Sequence, residues 1–164
     1  MSIFEQLISD ISKIWATFGG SYLYGIKQTL LLALIGTVLG CLIGFICGIL
    51  QTIPVYPKDG PLKKALLALL RGVIRVYVEV FRGTPMVLQA VFIYYGLPYF
   101  TNGAVLFDSV WACAILVVSI NTGAYMAETV RGGILSIDRG QTEGAKAVGM
   151  SHVQTMLYVI LPQT

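Results

Sequence analysis

Charge is what this sequence has least of. Asp, Glu, Lys and Arg make up 12% of it against 56% hydrophobic residues, and mean hydropathy is +0.78. Soluble domains carry about 25% charged residues, so an ordinary soluble fold is excluded. The formal net charge of +3 is too small for a phosphate-binding surface, and no nucleic-acid partner is expected. Histidine occurs once, as His152, which leaves no Ser-His or Cys-His pair for nucleophilic catalysis. Cys41, Cys47 and Cys113 lie in apolar runs without His, Asp or Glu at ligand spacing. They read as small buried hydrophobes, so no metal, disulfide or other cofactor is expected. A nucleotide-gripping loop is missing too. Gly20 and Gly25 have the right separation, but Ile26 stands where a lysine must follow. The chain is not expected to be an enzyme.

What remains is apolar helix. From Ile3 to Phe18, residues Ile3, Phe4, Leu7, Ile8, Ile11, Ile14, Trp15 and Phe18 fall on a helical repeat with Glu5, Gln6, Asp10 and Lys13 between them. This predicts an amphipathic helix ended by Gly19-Gly20, within a segment 1–24 that lies in the membrane interface. A signal peptide fits less well, because the first residues lack basic charge and include acids. Between Lys27 and Lys58 there is no charge at all, so the run from Gln28 to about Thr52 is long enough to cross a core of ~30 Å. Within it Gly36, Gly40, Gly44 and Gly48 recur every fourth residue, a spacing that lets another helix approach closely. The partner is a helix of this chain or a second copy, the former being the simpler reading.

Val55 to Pro61 reads as a linker. Beyond it a helix carries Arg71, Arg75, Glu79 and Arg82 on one face. Such a stripe must face water, headgroups or a partner. The apolar run from Met86 to Leu97 is too short to span by itself, so a bent crossing from about Ile74 to Pro98 is expected, irregular at Gly83-Thr84-Pro85. A polar turn over 101–108 precedes a third span from Val110 to about Thr129, on which Asn121, Tyr125 and Glu128 share a face. That face serves internal packing or a cavity.

The last stretch is polar and short. Asp138 with Gln141, and Ser151 with Gln154, have the spacing of N-cap and N3 pairs. They predict a helix from about Arg139 to Val148, a turn at Gly149, and a new helix from about His152. Gly144, Ala145 and Ala147 leave part of the first helix without bulk, where a partner surface can come close.

The series Glu143, Ala145, Gly149, Leu161 and Pro162 resembles the EAA loop of bacterial ABC-importer permeases, with Gly144 and Val159 as departures. The stretch Tyr77-Val78-Glu79-Val80-Phe81-Arg82-Gly83-Thr84-Pro85, with Gln89 and Tyr94-Tyr95-Gly96-Leu97-Pro98, resembles the polar amino-acid uptake subfamily. So does Asn121 to Glu128 followed by Arg131-Gly132-Gly133-Ile134. The resemblance implies a type I ABC transmembrane domain over 25–164. The implied fold is an all-α integral membrane protein: the amphipathic N-terminal helix, three complete transmembrane helices, a coupling helix and the start of a fourth transmembrane helix. The run from His152 is too short to cross, so the domain is expected to be incomplete at its C-terminal end, as a fragment or a truncated product. The implied activity is ATP-driven amino-acid import, without catalysis by this chain. Implied partners are cytoplasmic ABC ATPase subunits, a second or sister permease, an extracytoplasmic amino-acid-binding protein and membrane lipid. Glu143, Gly144, Ala145 and Gly149 would couple to the ATPase. Glu79, Arg82, Thr84, Asn121, Tyr125 and Glu128 would line the substrate path, with Arg82 and Glu128 or Glu79 complementing the carboxylate and ammonium of an amino acid, or pairing with each other.

Lys and Arg cluster in 58–82 and 131–146 and are absent from the 101–108 turn. Counting basic residues alone places the EAA-type loop in the cytoplasm of a bacterial cell and the N-terminus outside. Competing readings are a polytopic channel or sensor with a cytoplasmic docking loop, and an inactive truncated permease.

Overall fold

The structure, a computed structural model, describes residues 3–164, with the side chain of Glu5 outside the description. Its elements are α1 (Ile3–Thr52), α2 (Pro61–Gly83), α3 (Met86–Phe100), α4 (Val110–Ser136), α5 (Arg139–Ala147) and α6 (152–163). No strand occurs among the described residues. Of these helices, α1 from Gln6 and α4 are long and apolar enough to cross a membrane, and α3 is a shorter apolar helix.

The helix end expected at Gly19-Gly20 is absent. α1 runs unbroken for 50 residues, about 75 Å at 1.5 Å per residue. Glycine costs a helix roughly 1 kcal/mol, but it ends one when it adopts a left-handed φ or meets a proline. Neither holds here: the left-handed glycines are Gly103 and Gly149. The Trp15 indole packs over Gly19, 3.3 Å from where a Cβ would stand. The first two residues of the expected interfacial segment lie outside the described residues.

α1 and α4 form the longest interface. Gly36 faces Val118, Gly40 faces Thr122, Gly44 faces Met126 and Gly48 faces Val130, so the helices run parallel in constant register. A Cβ on Gly40 would stand 2.9 Å from the Ser119 carbonyl oxygen, and one on Gly48 would stand 3.0 Å from that of Ala127. The glycine stripe therefore serves packing inside the chain.

Between these parallel helices the chain returns along α2 and α3. Pro61 opens α2 at a position where a missing N–H costs nothing. Ile74 and Val78 pack with Ala127 of α4, and the Tyr77 hydroxyl donates to the Ile120 carbonyl at 2.6 Å. The break falls where expected. Thr84 and Pro85 are extended (φ −118°, ψ 144° and φ −61°, ψ 132°), as the proline ring requires of the residue before it.

Two further prolines shape the helices they sit in. A π-helical turn covers Phe92–Gly96 before Leu97-Pro98, and another covers Met156–Ile160 before Leu161-Pro162. In each, the leucine N–H reaches back five residues, to the Phe92 or Met156 carbonyl. The wider turn makes room for a ring that would otherwise press on the carbonyl four residues earlier.

α4 begins with Ser109, whose hydroxyl accepts from the Trp111 N–H at 3.1 Å, and continues to Ser136, about two turns past the expected end. Cys113 is buried, while Cys41 and Cys47 are half-buried and free.

Candidate functional site

Two groups of polar residues stand out from the apolar helices. The first is at the α2–α3 break, where a backbone carbonyl loses its usual donor. In a continuous helix the Phe81 carbonyl would accept from residue 85, but Pro85 has no N–H. Gln89, 7% exposed, replaces it: its Nε2 donates to the Phe81 carbonyl at 2.9 Å, the Thr84 carbonyl at 3.0 Å and the Thr84 hydroxyl at 2.9 Å. Asn121 Nδ2, from α4, donates to the same Phe81 carbonyl at 3.0 Å and to Gln89 Oε1 at 3.2 Å. The Thr84 hydroxyl in turn donates to the Val80 carbonyl at 2.8 Å.

Beside this network runs an open strip. The Arg82 guanidinium lies over the Tyr125 ring, 5.4 Å from its centroid, and Tyr125 is half exposed. One turn further along α4, Glu128 pairs with Arg131 in a two-pronged contact. Glu79 and Arg82 are exposed, and neither enters an ion pair among the described residues.

The six expected path residues therefore divide into two sets. Thr84 and Asn121 face inward and spend their amide and hydroxyl on the chain's own backbone. Glu79, Arg82, Tyr125 and Glu128 present polar atoms outward. The internal pairing of Arg82 with Glu128 or Glu79 is not formed; Arg82 takes an aromatic face and Glu128 takes Arg131. Gln89 and Arg131 entered the sequence reading only as part of the family resemblance, and their places, at the hub and as the partner of Glu128, were not foreseen. The three-residue spacing of Glu128 and Arg131 was a usable sign. Beyond the resemblance, Gln89 was marked only by its position four residues after a proline. A cavity of about 1060 Å³ is an apolar groove lined by residues such as Val80, Leu88, Phe92, Leu116 and Ile120. Thr84 and Gln89 also line it, and none of the four outward residues does.

The four-residue stripe Arg71, Arg75, Glu79 and Arg82 also divides. Arg71 turns inward and donates through Nη2 to the Ile53 carbonyl, closing the end of α1, while Arg75 stays exposed.

The second group is the short helix α5. Asp138 caps it by accepting from the Gly140 N–H at 2.7 Å. The expected reciprocal bond from Gln141 is absent. At its other end Gly149 takes φ +85°, the Gly149 N–H donates to the Lys146 carbonyl at 3.0 Å, and the Met150 N–H donates to that of Ala145 at 3.1 Å. That pair of bonds is a Schellman stop, and it requires a residue tolerant of left-handed backbone. Ser151 then opens α6 with the expected capping box, its N–H donating to Gln154 Oε1 at 2.8 Å and its hydroxyl accepting from the Gln154 N–H at 3.3 Å.

α5 meets the body on one side only. Ala145 is 7% exposed and Lys146 sits 5.5 Å from the Tyr56 ring centroid in the α1–α2 loop. The other side, Gly140, Glu143, Gly144, Ala147 and Val148, is exposed, and a Cβ on Gly144 would meet nothing within 4 Å. The loop that Lys146 touches is itself tied down. The Tyr56 N–H donates to Asp59 Oδ2 at 2.9 Å, Lys63 Nζ to Asp59 Oδ1 at 2.9 Å, and Lys64 Nζ to the Pro57 carbonyl at 3.0 Å. The Lys63 ammonium and the Tyr56 N–H hold the Asp59 carboxyl below the usual carboxylate range. His152 is half-buried beside a cavity of about 360 Å³ shared with Tyr56 and Lys146.

Two parallel helices long and apolar enough to cross a membrane, a bent return between them and a short capped helix are the architecture of a polytopic membrane protein. Residues 65–164 match the profile of the family described as binding-protein-dependent transport system inner membrane component, and the chain belongs to that family of multi-pass inner-membrane proteins. It is 35% identical over 160 residues to the octopine transport system permease of Rhizobium radiobacter, covering 94% of this chain and 60% of that protein. It is 36% identical over 153 residues to the glutamine transport system permease of Escherichia coli, covering 93% and 63%. Among solved structures, an amino acid ABC transporter with histidines superposes with a TM-score of 0.72 at 30% identity, over 90% of this chain and 62% of that one. The chain thus spans about three-fifths of the length of these relatives.

Proposed function

We propose that this chain is the permease subunit of an ATP-driven amino-acid importer, with Glu143 to Gly149 as its coupling segment. The observation that carries the reading is the one-sided mounting of α5. It is stopped at both ends by side-chain or backbone caps, held to the body by Ala145 and Lys146, and bare of bulk on the outward face around Glu143 and Gly144. A rigid, shallow helix of this kind suits a groove on an ATPase surface. The relatives named for octopine and glutamine transport support amino acids as the substrate class.

In this reading the N-terminus is outside the cell. α1, the bent α2–α3 pair and α4 are complete crossings, the 53–60 and 137–151 loops face the cytoplasm, and α6 begins a fourth crossing. Residues 1–24 form an N-terminal segment and 25–164 the transmembrane domain. Closure of two ATPase subunits pushes α5, and the push passes through Lys146 and Tyr56 to the Asp59-braced loop. From there Lys63 and Lys64 carry it into α2 as a rigid-body movement. The other end of α2 holds Arg82, which with Tyr125, Glu128 and Glu79 forms the polar strip along which a zwitterion is guided. Arg82 suits the carboxylate and Glu79 or Glu128 the ammonium. An extracytoplasmic binding protein delivers the substrate and a second permease, identical or sister, completes the path.

Co-purification tests the reading. Tagged chain in detergent should retain its ABC ATPase, and Glu143→Lys should release it. Retention unaffected by Glu143→Lys would remove α5 from the contact.

A further inference from the structure

We propose that Gln89 is the positioning residue of the α2–α3 break: it sets the bend that places Arg82 over Tyr125. Pro85 ends α2 by leaving the Phe81 carbonyl without a backbone donor, so side-chain donors must supply it: Gln89 from α3 and Asn121 from α4. Gln89 alone reaches every side of the break. Its two amide N–H groups are shared among the Phe81 carbonyl on α2 and the carbonyl and hydroxyl of Thr84, while its oxygen accepts from Asn121 on α4. Arg82 follows directly after the carbonyl that these bonds pin, so its backbone is fixed by them. Its guanidinium is left free to lie 5.4 Å from the Tyr125 centroid. Gln89 touches no outward polar residue, and it acts on the strip through Arg82. The brace stands on the geometry; its effect on transport rests on the proposed function.

A substitution cycle on the full chain in lipid nanodiscs tests the brace. Gln89→Met keeps the length and removes the donors, leaving the Thr84 carbonyl unpaired and the Phe81 carbonyl with Asn121 alone; it is expected to speed amide exchange across residues 83–89 about ten-fold, the loss of one satisfied acceptor. Pro85→Ala restores a backbone N–H four residues after Phe81. In that background Gln89→Met should accelerate exchange less than about two-fold. Equal acceleration in both backgrounds would overturn the brace. For the consequence, Arg82→Met and Gln89→Met should each reduce uptake by the assembled importer, and the double variant should be no worse than the poorer single. Multiplying losses would mean that Gln89 does not act through Arg82. An importer that moves no amino acid while the exchange cycle holds would overturn the transport reading and leave the brace in place.

Discussion

Replacing Gly44 by alanine is the sharpest probe of the α1–α4 interface. The added methyl would stand 2.7 Å from the Gly123 carbonyl oxygen and 2.8 Å from the Ala127 nitrogen, and would also press on Met126 Cβ. The first two are backbone atoms of α4 and have no rotamer to escape into. Ordinary contact begins at 3.4 Å, so the helices must part by at least roughly 0.7 Å, and more to clear Met126 Cβ, which is fixed to its backbone. A gap of that size forfeits about a quarter to a half of the dispersion attraction of each atom pair it opens. Overpacking of this kind costs ~1–3 kcal/mol, from which the better helix propensity of alanine returns ~1 kcal/mol. Gly25→Ala is the matched control: nothing lies within 4 Å of its added methyl, so it should stabilise by up to ~1 kcal/mol. The two variants should therefore differ by about 2 kcal/mol. Loss of helical signal during titration with a denaturing detergent, on purified chain, reads the difference directly. If Gly44→Ala titrates with Gly25→Ala, the close parallel packing of α1 on α4 is wrong.

Other consequences follow at α5 and the loop beside it. Gly149→Ala forces a side chain into φ +85° and should destabilise the α5 stop by ~1–2 kcal/mol, seen as faster exchange in α5, with Gly149→Asn milder. Gly144→Ala meets open space, so it should stiffen α5 by up to ~1 kcal/mol and preserve coupled ATPase activity; a large loss of that activity would mean the partner backbone needs the missing methyl. Asp59 has a folded pKa below its unfolded value, so its bonds to Lys63 and Tyr56 stabilise the loop fully above about pH 4 and are lost as pH falls through the folded value. Thermal midpoints from pH 5 to pH 3 should fall more steeply in the unaltered chain than in Asp59→Asn; parallel curves would contradict the loop brace.

How far these features were legible in the sequence depended on whether their cause was local. Caps and breaks are local, and so Thr84-Pro85, Ser151 with Gln154, and the Gly149 turn fell where their residues place them. Gly19-Gly20 misled because glycine only weakens a helix, and apolar flanks carried α1 through. The glycine stripe announced a close partner but not its identity, since Val118 to Val130 lie far along the chain and only the fold sets their register against Gly36 to Gly48. The polar faces were legible as faces, and their division was not. Whether Asn121 points at a ligand or at the Phe81 carbonyl depends on which backbone group a distant proline has orphaned. For the same reason Gln89 carried no sign of its role.

Uptake tests the central claim most directly. The chain, reconstituted in proteoliposomes with its ATPase and its extracytoplasmic binding protein, should accumulate an amino acid only when ATP is supplied on the side facing α5, and Glu143→Lys should abolish that accumulation. Accumulation without ATP, or undiminished by Glu143→Lys, would contradict the account.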